Sequence, residues 1–369
     1  MAVTKVVAGD LNIVETLIEA GIKYIGDSRL RNIIHMRNQE LDVKMILIRV
    51  PSIQEIPDVI AFTDYSVQSE LKTIKILSKQ AKIQGKIHKI ILMVDMGDLR
   101  EGIHPDYIDY YIKEIKKLDN VEIKGIATNL KCFGGIIPDK RNMRIFSNLA
   151  ERIQNEYRIH LEFVSAGNSA NLQWLTETDD VGLINNLRIG EALFFGWETI
   201  DFKRISSLYS NIFALKSQIV EMKNRNLVPR GTISSNAFGE KITTNNELFS
   251  NKLNPKQTVR KQFLLNIGRQ DVDVKGLIPI EPIRILGASS DYLIVTPADS
   301  AEYKIGQSLH FKINYSALMR LMVSPYVGKM YMIPKESSVP INSVEINAEE
   351  VDIIKYNRIP QSDAEFSKF

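Results

Sequence analysis

The feature that most constrains this chain is an alternation of short β-branched runs with longer amphipathic stretches, sustained from the first residues to about residue 208. Candidate strands lie at 2–7, 24–26, 43–50, 63–66, 89–94, 123–128, 162–165 and 187–189. The stretches between them, among them LNIVETLIEAG, ELKTIKILSKQAKIQG and NMRIFSNLAERIQNEYR, repeat apolar residues three and four apart, the spacing of one helix face. A strand followed by such a helix rejoins its sheet as a parallel neighbour. Eight repeats predict an α/β fold, a (β/α)8 TIM-type barrel over 1–208, whose reactive side chains sit at the C-terminal strand ends. An open doubly wound sheet is the other arrangement, but no GxGxxG fingerprint follows a strand.

Beyond residue 208 the texture changes. IFALKSQIVEMK, QFLLNIG, IRILGA, YLIVTP and SLHFKI, separated by Gly, Pro, Asn and Asp, predict a C-terminal mainly-β domain over 209–333. Residues 334–369 form an acidic, polar tail. A net charge of +3, evenly spread, gives no reason to expect nucleic acid or a membrane surface as partner and favours small-molecule chemistry. No run approaches the ~20 apolar residues of a membrane span, and no apolar leader is evident, so a cytoplasmic protein is expected. Cys132 is the sole cysteine, which excludes an intrachain disulfide and a cysteine metal cluster. The five histidines show neither metal nor triad spacing, so no metal is expected.

The polar residues at strand ends carry more information. Lys5 interrupts the apolar run AVTKVVAGD, and in isolation reads as a strand-end lysine reaching water along its stem. Later strand ends supply Arg100 and Glu101 in MVDMGDLREG, Asn129 in GIATNLKCFGG, Asn168 and Ser169 in VSAGNSANL, and Arg188, Gly190 and Glu191 in NNLRIGEALFFG. GNSA taken alone is also an ordinary helix cap. The glycine-containing segments of the seventh and eighth strands, however, occupy the place where barrels commonly bind phosphate.

In order along the chain, AVTKVVAGD, DMGDLREGI and RIGEALFFG resemble the lysine strand, the DTGMxRxG segment and the RxGxxxYG segment of the alanine racemase family of pyridoxal-phosphate enzymes. NAFGE, NIGRQDVD, LGASSDYLIV and MVSPYVGKMY further resemble its ornithine-racemising members, and the likeness runs over roughly 1–333. The resemblance implies a homodimeric racemase of ornithine or a related basic amino acid, with pyridoxal 5'-phosphate held as a Schiff base on Lys5. Arg188 would bond the pyridine nitrogen, Ser169 with backbone groups of Gly190 and Glu191 the phosphate, and Arg100 the cofactor oxygen or substrate carboxylate. Asn129 stands where the alanine enzymes have a histidine. An arginine at the ring nitrogen limits the electron sink, which favours racemisation over decarboxylation. A cofactor-binding homologue without turnover and a related decarboxylase are the competing readings.

Inversion also needs a proton carrier on the face opposite the lysine. The alanine enzymes use a tyrosine from the partner subunit, but SSNAFGE has Phe238 there, which leaves Asp271, Asp291 and Tyr326 as candidates, Asp291 foremost. Asp271 or Asp291 would also suit a side-chain ammonium. Family members carry a strand and a helix ahead of the lysine strand; the tail segment SVEINAEEVDIIKYN, strand-like then helix-like, is one way to fill that place.

Overall fold

A computed structural model describes residues 1–241, 258–298, 300–334 and 351–353. Seven parallel strands form one sheet in sequence order: β1 (Ala2–Val3), β2 (Tyr24–Asp27), β3 (Lys44–Leu47), β4 (Tyr65–Gln68), β5 (His88–Val94), β6 (Val121–Thr128) and β7 (Phe163–Ala166). Helices α1 (Leu11–Glu19), α2 (Leu30–Arg37), α3 (Ile56–Phe62), α4 (Leu71–Ile83), α5 (Ile108–Ile115) and α6 (Lys140–Tyr157) connect them, and α7 (Asn171–Glu177) and α8 (Glu191–Phe195) follow β7.

The expected eighth strand makes isolated bridges rather than a ladder. Ser165 bridges Asn186, and Ala2 bridges Ile189, both in parallel. Val3 N–H donates to Ile189 O at 2.8 Å, and Ile189 N–H donates to Met1 O at 3.0 Å. Residues 186–189 therefore join β7 to β1 and close the sheet into a barrel.

Alternation along the strands sorts the core into two faces. Met45, Leu47, Ile90, Leu92 and Val94 pack outward under the helices. Ile46, Val67, Ile91, Met93 and Ala127 fill the interior, where Phe163 meets Tyr24 and Tyr65 edge to face with ring centroids 5.1 Å apart. At roughly 25 cal/mol per Å² of apolar surface, these buried Ile, Leu and Phe side chains each contribute on the order of 1.5–3 kcal/mol. That packing fixes the strand ends on which the site is built.

The second sheet is antiparallel and six-stranded, in the order β10 (Leu277–Pro279), β13 (Ser308–Ile313), β8 (Ala214–Asn226), β9 (Val259–Leu265), β12 (Leu293–Pro297) and β11 (Ile283–Ala288). Along β8 the residues alternate between buried and exposed, as a sheet with one wet face requires. Helix α9 (Tyr315–Val323) returns to pack on the turn that holds Lys5.

Residues Met1–Val323 form one compact unit and Ser324–Phe369 another. Within the latter, β14 (Met332–Pro334) pairs antiparallel with β15 (Val351–Ile353). The tail strand thus pairs with β14, and the remainder of the segment expected ahead of β1 lies outside the described residues. Among the described residues no helix is long and apolar enough to cross a membrane.

Candidate active site

Lys5 does not continue β1 as expected. The strand stops at Val3, and Lys5–Val7 form a 3-10 turn ended by left-handed residues Ala8 and Gly9. Thr4 causes the break: its N–H donates to Gly26 O at 3.0 Å, and its hydroxyl donates to Asp27 Oδ2 at 2.9 Å. Asp27 is fully buried and is held by the Arg29 N–H at 2.8 Å and by Asn32 Nδ2. Burial raises the Asp27 carboxyl above its ordinary value against these hydrogen bonds. The turn lifts Lys5 off the sheet and points its amine into a cavity of about 540 Å³.

The amine is accessible from the cavity, yet protein walls remove much of its bulk hydration. That desolvation lowers its pKa below the ordinary lysine value; Arg100 and Arg188 act in the same sense, and Cys132 and Asp27 oppose it. A lysine held this way keeps more of the free amine needed to act as nucleophile or base near neutrality.

Arg188 lies across the closing seam. It is 7 % exposed, and its Nη1 donates to Ser165 Oγ at 2.7 Å while Nη2 donates to Thr128 O at 2.6 Å. No carboxylate lies within ion-pair distance of it among the described residues, and burial lowers its pKa to about 10. It therefore stays charged at neutral pH. A buried cation without a counter-ion is costly, and its remaining exposed surface faces the cavity.

The other expected residues converge on the same space. Arg100 lines it and pairs with Glu101. Asn129 Oδ1 accepts from Asn168 Nδ2 at 2.8 Å and lies 3.4 Å from Arg188 Nη2. Ser169 Oγ accepts the N–H of Ala192 at 3.1 Å, which ties the GNSA segment to the start of α8, where Gly190 and Glu191 line the cavity. GNSA turns sharply at Gly167, φ 94°, and a Cβ there would come within 2.0 Å of Asn171 Oδ1, so glycine is required. Glu191 accepts from Trp197 Nε1, and burial raises its carboxyl.

Of the three candidates for the opposite-face proton carrier, Asp271 and Asp291 do not line the Lys5 cavity. Asp291 is exposed on the hairpin between β11 and β12, where Gln270 Nε2 donates to it at 3.3 Å, and it does not line the cavity. Asp271 is buried in the turn after β9, and Tyr326 is exposed in the second unit. Phe238 stacks under the guanidinium of Arg269 at 4.2 Å.

Among the cavity residues that the sequence reading did not place there, two stand out for their chemistry. Tyr315, at the start of α9, lines the cavity beside Lys5, and burial with Glu191 nearby raises its hydroxyl pKa. The sequence signal was slight: one aromatic at a strand-to-helix junction. Cys132 also lines the cavity and takes contacts from two amide groups, Asn129 Nδ2 at 3.0 Å and Asn168 Nδ2 at 3.4 Å. Its signal was the GIATNLKCFGG strand end, which was read only for Asn129.

Comparison with known proteins matches these features to a family. A family model described as the alanine racemase N-terminal domain matches residues 1–197. The chain is 38% identical over 330 residues to an ornithine racemase of Acetoanaerobium sticklandii, covering 89% of this chain and 90% of that one. It is 32% identical over 332 residues to a lysine racemase of Thermotoga maritima, covering 90% of each. Among solved structures, an alanine racemase of Clostridium difficile 630 superposes with a TM-score of 0.65 at 17% identity, covering 90% of this chain and 88% of that one.

Proposed function

The chain belongs to the alanine racemase family and is an amino-acid racemase, and from that premise we propose that it interconverts L- and D-ornithine, or a closely related basic amino acid, with pyridoxal 5'-phosphate bound in the Lys5 cavity. The observation that carries the reading is the pairing of Lys5 with Arg188. One is a desolvated amine, the other a buried guanidinium with no carboxylate partner among the described residues, and both face one cavity closed by the β1 seam.

The residues fit this cofactor. Lys5, Arg49, Arg100, Lys131 and Arg188 give the cavity five cations. Glu101 and Glu191 are its two carboxylates. The excess positive charge suits a phosphate of about −1.5 to −2 together with a substrate carboxylate. When bound, pyridoxal phosphate supplies a conjugated electron sink that acidifies the Cα–H of an amino acid. Lys5 would carry the cofactor and move that proton. Arg188 would donate to the ring nitrogen without giving up its own proton. Ser169 with the backbone of Gly190 and Glu191 would hold the phosphate, and Asn129 would brace the Arg188 side. Arg100 would orient the substrate carboxylate.

Relatives acting on ornithine and on lysine support a substrate with a side-chain ammonium, for which Glu101 and Glu191 supply negative charge inside the cavity. Asp291 reaches a cavity only if a second copy lays its β-domain over this barrel, so its participation belongs with a homodimer. The test is incubation of the protein with pyridoxal phosphate and a panel of L-amino acids, read by chiral chromatography. Ornithine should yield both enantiomers, and Lys5→Ala should abolish both the conversion and the long-wavelength absorbance of the lysine-bound cofactor. Production of a diamine, or no conversion at saturating cofactor, rejects the reading.

A further inference from the structure

We infer that Glu101 is a positioning residue: its carboxylate holds the Arg100 guanidinium in the orientation that receives the substrate carboxylate. The inference rests on the racemase reading above and separates the tasks of the two cavity carboxylates, Glu101 and Glu191.

Arg100 and Glu101 lie side by side on the loop that follows β5, and both line the Lys5 cavity. The backbone is pinned on either side of them. Before the pair, Asp95 Oδ1 accepts the N–H groups of Gly97 at 2.9 Å and Leu99 at 3.2 Å. Asp98, which is buried, accepts the N–H groups of Cys132 at 3.0 Å, Phe133 at 3.1 Å and Gly134 at 3.1 Å, and so ties this loop to the one after β6. After the pair, Ile103 N–H donates to Met93 O at 2.8 Å, and Asp95 N–H donates to Ile103 O at 3.0 Å. Gly102 passes beside that crossing at φ 143°, where a Cβ would come within 2.4 Å of Asp95 N. With the backbone fixed, the long Arg100 side chain is the part left to be oriented.

Glu101 orients it by a two-point contact: Arg100 Nε donates to Oε2, and Nη2 donates to Oε1. Two parallel bonds set the plane of a guanidinium as well as its position. Among the described residues Nη1 makes no hydrogen bond, so that edge is left for a ligand carboxylate. The electrostatic setting gives Glu101 a second reason to be there. Arg100 lies close enough to Lys5 and Arg188 to act on the charge of both. Like charges drive an unpaired guanidinium out of the cavity toward water, and the Glu101 carboxylate opposes that.

Two other tasks for Glu101 fit less well. The paired side chains are 39% and 24% exposed, and ion pairs so placed add little to fold stability. Recognition of a side-chain ammonium would require a carboxylate whose two oxygens already serve Arg100. Glu191 accepts only from the neutral Trp197 Nε1 and has no cationic partner among the described residues, so it is the cavity carboxylate left for an ammonium.

The test uses the full chain with pyridoxal phosphate and reads inhibition of ornithine racemisation by two probes. L-Norvaline keeps the carboxylate of ornithine and lacks its side-chain ammonium, whereas putrescine keeps both nitrogens and lacks the carboxylate. In Glu101→Gln the KM for ornithine and the inhibition constant of L-norvaline should each rise by about 10-fold, the scale of one misplaced charged hydrogen bond. Inhibition by putrescine should stay within about twofold of wild type, with cofactor absorbance and melting temperature unchanged. In an Arg100→Gln background Glu101→Gln should add no more than about twofold to the KM, because a residue acting through another has nothing left to act on. Glu101→Asp, with the same charge on a shorter stem, should show the same selective loss at smaller size. A full further loss in the Arg100→Gln background, weaker putrescine inhibition with L-norvaline unaffected, or a wild-type KM in Glu101→Gln each overturn the inference and leave the racemase reading standing. Wild-type protein that converts neither enantiomer of ornithine overturns that reading itself.

Discussion

Two arginines in this molecule sit among similar side chains and have opposite circumstances. Arg188, in the barrel, is buried, and its hydrogen bonds go to a serine, an asparagine and two backbone carbonyls, with no carboxylate partner among the described residues. Arg269, in the antiparallel domain, keeps a partly exposed side chain whose Nη1 and Nη2 both meet the Glu240 carboxylate at 2.9 Å, with its plane over the Phe238 ring. Water and Glu240 together satisfy the charge of Arg269. The charge of Arg188 is stabilised only by dipoles, an arrangement that persists where the surrounding fold holds it and a ligand uses it. The contrast is the one expected if the first cluster has the recognition role proposed above and the second only orders the surface locally.

The largest effect expected of the barrel cluster is at Lys5. Lys5→Ala should lower racemisation by at least about 10²–10⁴-fold, the loss of a positioned base, before counting the loss of cofactor attachment. Borohydride reduction followed by mass spectrometry should then find no pyridoxyl group on the chain, whereas wild type should carry one. A variant that retains a reducible adduct at another lysine would move the site away from this cavity.

Arg188→Gln set against Arg269→Gln tests the comparison itself. Hydrogen bonds from a charged donor are worth about 1.5–3 kcal/mol, so the first substitution should weaken cofactor binding by about 10- to 100-fold. The second should leave binding within about twofold of wild type. Equal losses from the two would end the distinction, as would no loss from Arg188→Gln.

A smaller effect concerns stability without the cofactor. Burial lowers the Lys5 pKa. A lysine depressed in the folded state costs stability at pH values below that folded pKa, and the cost fades as pH rises toward the unfolded value of about 10.4. Lys5→Met should therefore raise the melting temperature of the cofactor-free protein at pH 7 by a few degrees, roughly 2–4 °C per kcal/mol for a chain of this size. The difference should narrow toward pH 10. A lower melting temperature at pH 7 would mean that Lys5 stabilises the fold.

How much of this was legible in the sequence depended on range. Period-2 and period-3.6 patterns act within one element, so the parallel strands and their helices were readable, as was the change of texture after residue 208. Lys5, Ser169 and Arg188 were singled out because each follows or sits near a strand end, where a barrel's strand ends converge, and the structure puts all three on the wall of one cavity. The 3-10 turn at Lys5 was not, because it depends on the Thr4 hydroxyl meeting Asp27 on the next strand. Tyr315 was missed because α9 reaches the Lys5 turn only through the chain's long return, and no local pattern records a contact across that separation. Cys132 was counted for disulfides and never placed, since its neighbours Asn129, Asn168 and Arg188 come from three strand ends. Asp291 was offered on its chemistry alone, and the structure places it on an exposed hairpin of the antiparallel sheet.

The smallest predicted effect lies in the paired cluster and has a defined pH window. Arg269 and Asn236 hydrogen-bond the Glu240 carboxylate and hold its pKa at about 2. A carboxylate depressed in the folded state contributes stability above its unfolded value of about 4.3, and that contribution is lost as pH falls through the folded value. The melting temperature of wild type should therefore lose this contribution between about pH 4.5 and pH 2, and Arg269→Gln should flatten that part of the profile while changing the neutral-pH value by no more than a few degrees, about 2–4 °C. Salt at high concentration should mimic the substitution, because the pair is exposed and screened. Cofactor binding should stay unchanged across the same series. If instead it follows Glu240 protonation, the exposed cluster would be coupled to the barrel site, and the two arginines would belong to one functional unit.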